Sequence, residues 1–144
     1  MRVRDGMSKV VLTVGPGHTL RQAARLMAQR NVGAAVVLDP DGEGHSILTE
    51  RDILVSVGRG EDPDAERVAD HLTPDIVSAS PDWSLERAAE EMVRAKFRHL
   101  VVVDGPDVCG ILSMRDIVRC WTDDGASCDV PREDSRGTAM AAGV

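Results

Sequence analysis

With 144 residues and a formal net charge of −7, the chain has the length of one ordinary domain and is not a general nucleic-acid or anionic-membrane binder, since both need a basic field. No apolar run approaches the roughly 20 residues that span a bilayer, and the start Met1-Arg2-Val3-Arg4-Asp5 lacks a signal peptide's apolar stretch. Cys109, Cys120 and Cys128 lack C-x-x-C spacing, so neither a disulfide framework nor a zinc site is expected, and reduced thiols fit a soluble, cytoplasmic protein.

Residues 3–9 and 68–74 read as short helical lead-ins. Val10 to Val14, stopped by Gly15-Pro16-Gly17, and Ile76 to Ala79, stopped by Ser80-Pro81-Asp82, read as extended segments closed by turn chemistry. Thr19 with Gln22 three residues on forms a capping box, and Ser84 starts a second helix. Leu20, Ala23, Ala24 and Met27 then recur at helical spacing, as do Leu85, Ala88, Ala89 and Met92. The runs 34–39 and 99–104 are continuous and valine-rich, which suits strands buried on both faces. Turns follow at 40–44 and 105–107. Return strands follow at Ile47-Leu48 and at 108–112, and helices after Thr49 and Ser113. Aromatic residues make up only 2% of the chain, so its core must be aliphatic, with methionine. A polar stretch at 58–65 is a flexible connector, and residues 122–144, with five acids against two arginines and no periodicity, are expected to be a disordered tail.

The second half repeats the first. Leu20 and Leu85, Pro16 and Pro81, Met27 and Met92, and Val36 and Val101 all stand 65 positions apart, while Asp52 and Asp116 stand 64 apart, so one residue is lost in the turn after Asp39. The phrase Ile47-Leu48-Thr49-Glu50-Arg51-Asp52-Ile53-Leu54 returns as Ile111-Leu112-Ser113-Met114-Arg115-Asp116-Ile117-Val118. Two copies are too few for a solenoid, so a closed pair is expected. The boundaries read as a first unit at 1–57, a connector at 58–67, a second unit at 68–121 and a tail at 122–144.

These doubled, ordered features resemble the tandem cystathionine-β-synthase (CBS) domain pair. The resemblance rests on Val3-Arg4-Asp5-Gly6-Met7, on the prolines before Thr19-Leu20 and Ser84-Leu85, on the strands Val32 to Asp39 and Phe97 to Asp104, and on the Thr/Ser-x-x-Asp phrase. It implies an α/β (α+β) fold of two β-α-β-β-α units packed sheet to sheet about a pseudo-twofold axis. It also implies two clefts that bind adenosyl ligands in many relatives, frequent homodimerisation, and a non-enzymatic regulatory role exerted through an unknown protein partner. With nothing attached, the chain looks like a stand-alone version. Where relatives often carry Pro this chain has Val36 and Val101, and Ser46 stands where the second copy keeps Gly110, so one intact site is expected, with the second copy favoured.

On that resemblance Asp52 and Asp116 are candidates to accept hydrogen bonds from ribose hydroxyls. Thr49 and Ser113 would bond ribose or phosphate at a helix N-terminus, and Arg51 and Arg115 would neutralise phosphate. The adenine slots would be lined by Thr13, Val14, Ala35 and Val36 with their neighbours, and by Ser78, His99 and Val101 with theirs; Arg98 could face phosphate. The same Thr-x-x-Asp spacing is also a capping box that needs no ligand. Most of the slot side chains read equally as sheet core. The resemblance leaves AMP, ADP, ATP, NAD and S-adenosylmethionine open as ligands and requires no cofactor. A ligand-free dimeric scaffold is the alternative. No nucleophile with its base and no histidine pair at metal-ligand spacing is present, so neither enzyme chemistry nor a metal is expected.

Overall fold

In the computed structural model of the chain, residues 1–38, 45–73 and 76–123 are described; the turn at 40–44 and the tail beyond Asp123 lie outside them. The elements run α1 (Val3–Gly6), β1 (Thr13–Val14), α2 (Leu20–Arg30), β2 (Ala34–Val37), β3 (Ser46–Thr49), α3 (Glu50–Gly58), a 3-10 turn (Val68–Asp70), β4 (Ser78–Ala79), α4 (Leu85–Ala95), β5 (His99–Asp104), β6 (Asp107–Ser113) and α5 (Met114–Asp123). Thr122 and Asp123, read above as the start of the tail, are helical.

Local chemistry sets the helix ends. Thr19 accepts from the Gln22 amide and Gln22 bonds back to the Thr19 N–H, while Ser84 accepts from the Arg87 amide. Each of these helices stops at a left-handed residue, Asn31 (φ 54°) and Lys96 (φ 61°), and the next amide reaches back to a Met carbonyl, Val32 to Met27 and Phe97 to Met92. That closure satisfies carbonyls the helix would otherwise leave open.

Each half forms a three-stranded sheet, β1-β2-β3 and β4-β5-β6, with the first pair parallel and the second antiparallel. The strand alternation sorts the valine runs into two layers. Ala35 and Val37 face α2 in one core with Leu20, Ala23, Met27 and Leu48, and Leu100 and Val102 face α4 in another with Leu85, Ala88 and Met92. The opposite faces meet each other: Ala34, Val36 and Ile47 of the first sheet pack on Val101 of the second, with Val11, Ile76, Val103, Val108 and Ile111 around them. This is why β2 is buried at all four positions.

The lead-ins cross over. Val3 is fully buried among Leu85, Ala88 and Leu112 of the second half, its N–H donates to Trp83 O at 2.8 Å, and Ser8 and Ile111 exchange both backbone hydrogen bonds. Val68, equally buried, sits in the first core, donates to His18 O at 2.9 Å, and is followed by Thr73, whose N–H bonds Ile47 O. Burying one valine contributes about 1.5–3 kcal/mol, so neither half keeps its full core without the other's lead-in. The connector is correspondingly pinned: Leu20 and Arg21 donate to Glu66 O and Pro63 O, and Arg21 pairs with Asp64. The flexible link read from its composition is hydrogen-bonded to the start of α2.

Gly110 shows the cost of the crossing. A Cβ there would lie 2.7 Å from Met7 Sδ and 2.8 Å from Ser8 O. The room that glycine leaves is filled by the crossing lead-in, and Ser46 stands at the matching register of the first sheet.

Candidate functional site

The crossing brings elements of both halves to each strand-to-helix corner. At the second corner, Ser113 precedes α5 and forms a reciprocal cap. Its N–H donates to Asp116 Oδ2 at 2.9 Å and its Oγ accepts from the Asp116 N–H at 3.0 Å. Asp116 Oδ1 pairs with the Arg119 guanidinium at 3.3 Å, the Asp116 side chain being largely buried and that of Arg119 exposed. A cleft of about 930 Å³ opens beside this carboxylate, of the size that takes a drug-sized or nucleotide-sized ligand. Its apolar wall comes from the first half, with Val10, Leu12, Val32 and Ala34, and its polar wall from Ser113, Arg115, Asp116, Arg119, Arg98, His99, Arg30 and Glu50. Four arginines against two carboxylates make it basic in a chain of net charge −7.

The first corner has the same cap and a different outcome. Asp52 Oδ2 accepts from the Thr49 N–H at 2.7 Å and the Thr49 hydroxyl at 2.9 Å, and also from the Thr73 hydroxyl at 2.5 Å. Beside it lies a cavity of only about 20 Å³, lined by Ile47, Thr49, Thr73, Ile76, Val77, Phe97, Arg98, His99 and Val101, which is room for about one water. The sequence explains the contrast. Phe97-Arg98-His99 stands at the 65-residue spacing from Val32-Gly33-Ala34, so larger side chains line the closed corner, where Phe97 stands in place of Val32, while Arg98 and His99 reach both. Thr73 likewise replaces Ser8 and ties the carboxylate down.

The open cleft therefore gathers Ser113, Arg115, Asp116, Arg98 and His99 from the residues singled out in the sequence. Thr49, Val101, Arg98 and His99 line the closed cavity. Arg51 is exposed on α3 and, with Thr13 and Ser78, lines neither. Val14 and Ala35 point into the first core and Val36 into the layer between the sheets, as core side chains do. The sequence reading missed Arg30, Glu50 and Arg119. Arg119 carried a signal, being one helical turn beyond Asp116, whereas Arg30 and Glu50 reach the cleft only through the packing of the two halves.

His99 lines both cavities: burial pushes its imidazole below the ordinary range, the Glu50 and Asp116 carboxylates oppose that, and Arg98 adds to it. Glu50 and His99 converge over Gly33, where a Cβ would lie 3.1 Å from Glu50 Oε1 and 3.3 Å from His99 Cε1. Any side chain at residue 33 would press on both groups.

Two like units, packed by their sheets and completed by each other's lead-ins, with one capped carboxylate in an open basic cleft, define a tandem domain pair. The sequence model of the CBS domain matches residues 3–59 and 68–123, and the chain belongs to the CBS domain family. It is 37% identical to the CBS domain-containing protein YhcV of Bacillus subtilis over 80% of its own length and 81% of that protein's. It is 33% identical to the CBS domain-containing protein CBSCBSPB3 of Arabidopsis thaliana over 92% of its length, spanning 23% of that much longer relative. Among solved structures it is similar to the CBS domain protein PAE2072 of Pyrobaculum aerophilum complexed with AMP, with a TM-score of 0.72, 28% identity, and coverage of 81% of this chain and 89% of that one. No helix among the described residues is long and apolar enough to cross a membrane.

Proposed function

We propose that the chain is a non-enzymatic regulatory module that binds one phosphorylated adenosyl ligand per chain in the Asp116 cleft and passes its occupancy to a partner. The observation that carries this reading is the difference in volume between the two corners, about 930 against 20 Å³. The ribose hydroxyls would donate to Asp116 Oδ1, displacing the Arg119 guanidinium paired with it. The base would slot against Leu12 and Ala34, and the phosphates would meet Arg98, Arg115 and the N-terminus of α5, whose dipole favours an anion. The excess of arginine favours AMP, ADP, ATP or NAD over S-adenosylmethionine, which brings a sulfonium cation. AMP in a relative 28% identical supports the same ligand class.

Signalling requires that the ligand prefer one arrangement of the two halves. Because the cleft is walled by both, a ligand that bridges Leu12 and Asp116 acts on their relative position. We further infer a homodimer formed through α3 and α5. Leu54 and Val118, matched at the 64-residue spacing, are 68% and 59% exposed, with Val57 and Met114 beside them, a stripe large enough to seek cover. That stripe also favours the second reading, a scaffold whose clefts stay empty. A thermal-shift panel of AMP, ADP, ATP, NAD and S-adenosylmethionine decides between them: a ligand at 100 times its dissociation constant adds about 2.7 kcal/mol, and a flat response across the panel leaves the scaffold.

A further inference from the structure

Away from both corners, three ligand-type side chains converge where the connector meets the second lead-in. Glu61, Glu66 and His71 each present one atom within 4.8 Å of the others. His71 Nε2 lies 2.8 Å from Glu66 Oε1, with the imidazole only 10% exposed and the Glu66 side chain 29%. Glu61 Oε1 is buried and has no hydrogen-bond partner. An enclosed carboxylate oxygen without a donor is unfavourable. The imidazole does not relieve it, since its Nε2 is engaged with Glu66.

The backbone holds all three groups at fixed points. Glu61 follows the glycine turn after α3, where Gly60 has φ 83°, and donates its N–H to Ser56 O. The Glu66 carbonyl accepts from Leu20, and His71 ends the 3-10 turn by donating to Val68 O. Two carboxylates and a neutral imidazole carry a charge of −2, which matches a divalent cation. The nitrogen donor selects the zinc class over magnesium or calcium. Zinc held about 2.0–2.2 Å from each ligand sets them roughly 3.4 Å apart, which parts the 2.8 Å Glu66–His71 contact slightly while keeping all three within their present 4.8 Å limit, and leaves a fourth position for water.

We propose that Glu61, Glu66 and His71 bind one zinc-class divalent cation that fastens the connector to the second lead-in. The consequence reaches the closed corner, because Thr73, two residues beyond His71, is the donor that ties down Asp52. A metal at the cluster therefore holds that corner shut.

The test titrates zinc chloride into the metal-stripped full chain by calorimetry, with magnesium chloride as control, and repeats it in Glu61→Gln and His71→Gln. One site per chain is expected, weakened at least tenfold in both variants, with no response to magnesium. The cysteines compete for zinc, so cobalt(II) binding is also followed by absorption in the wild type. Weak d–d bands without a thiolate charge-transfer band are expected. A thiolate band, undiminished binding in both variants, or no binding by the wild type overturns the proposal. The cobalt spectrum decides it even where a variant fails to fold.

Discussion

The corner at Thr49–Asp52 and the corner at Ser113–Asp116 share a strand register, a reciprocal helix cap and a phrase of sequence, yet one is filled and the other open. The repeated phrase itself does not decide which. The difference comes from what the opposite half lays across each corner: Phe97 and Thr73 over the first, Val32, Gly33, Ala34 and Ser8 over the second, with Arg98 and His99 lining both. Asp52 is claimed by the Thr49 and Thr73 hydroxyls as well as by its cap, whereas Asp116 has its cap and Arg119.

The largest effect that separates the corners is on nucleotide affinity. Two charge-assisted bonds of roughly 1.5–3 kcal/mol each would be lost in Asp116→Ala, so its dissociation constant, measured by calorimetry, should rise at least tenfold. Asp52→Ala should leave affinity unchanged and instead lower the denaturation midpoint, because Thr49 and Thr73 lose their acceptor.

Next in size is the asymmetry between Gly110 and Ser46. Gly110→Ala drives a methyl group into Met7 Sδ and Ser8 O, so chemical denaturation should show a loss of about 1–3 kcal/mol. Ser46→Gly, which only removes a side chain, should cost less than 1 kcal/mol, about what glycine costs in a strand.

A smaller effect comes from exchanging the fillers. The double variant Phe97→Val, Thr73→Ser gives the first corner the matching residues of the second and spares Arg98 and His99, which also line the open cleft, so the number of nucleotides bound per chain should rise from one towards two. An unchanged count would mean that Arg98 and His99 keep the corner closed.

Much of this was legible in the residues. The 65-residue spacing, the caps at Thr19 and Ser84, and the doubly buried valine strands follow from local rules that need no partner, and the caps at Thr49 and Ser113 were read as one of two roles. The crossing of the lead-ins was not legible. A repeat tells which segments are alike and says nothing of which copy each one packs on, so Val3 and Val68 read as belonging to their own halves. For the same reason Arg30 and Glu50 gave no signal, since they enter the cleft through contacts between halves. Glycine at residue 110 was visible, but its neighbour, the backbone of Ser8, was not.

The smallest expected effect is on pH. Burial holds the His99 imidazole below its ordinary range, so the unfolded chain binds the proton first. Stability from this group is present above about pH 6.5 and is lost as pH falls towards the lower folded-state value. Denaturation midpoints measured from pH 7.5 downwards should decline below that point, and His99→Gln should flatten the decline.

The most direct test of the central claim, one open site at Asp116, is the stoichiometry of AMP binding by calorimetry in the wild type, Asp52→Ala and Asp116→Ala. The account predicts one AMP per chain in the wild type, one in Asp52→Ala, and binding at least tenfold weaker in Asp116→Ala. Two equivalent sites in the wild type, or binding lost in Asp52→Ala and kept in Asp116→Ala, would contradict it.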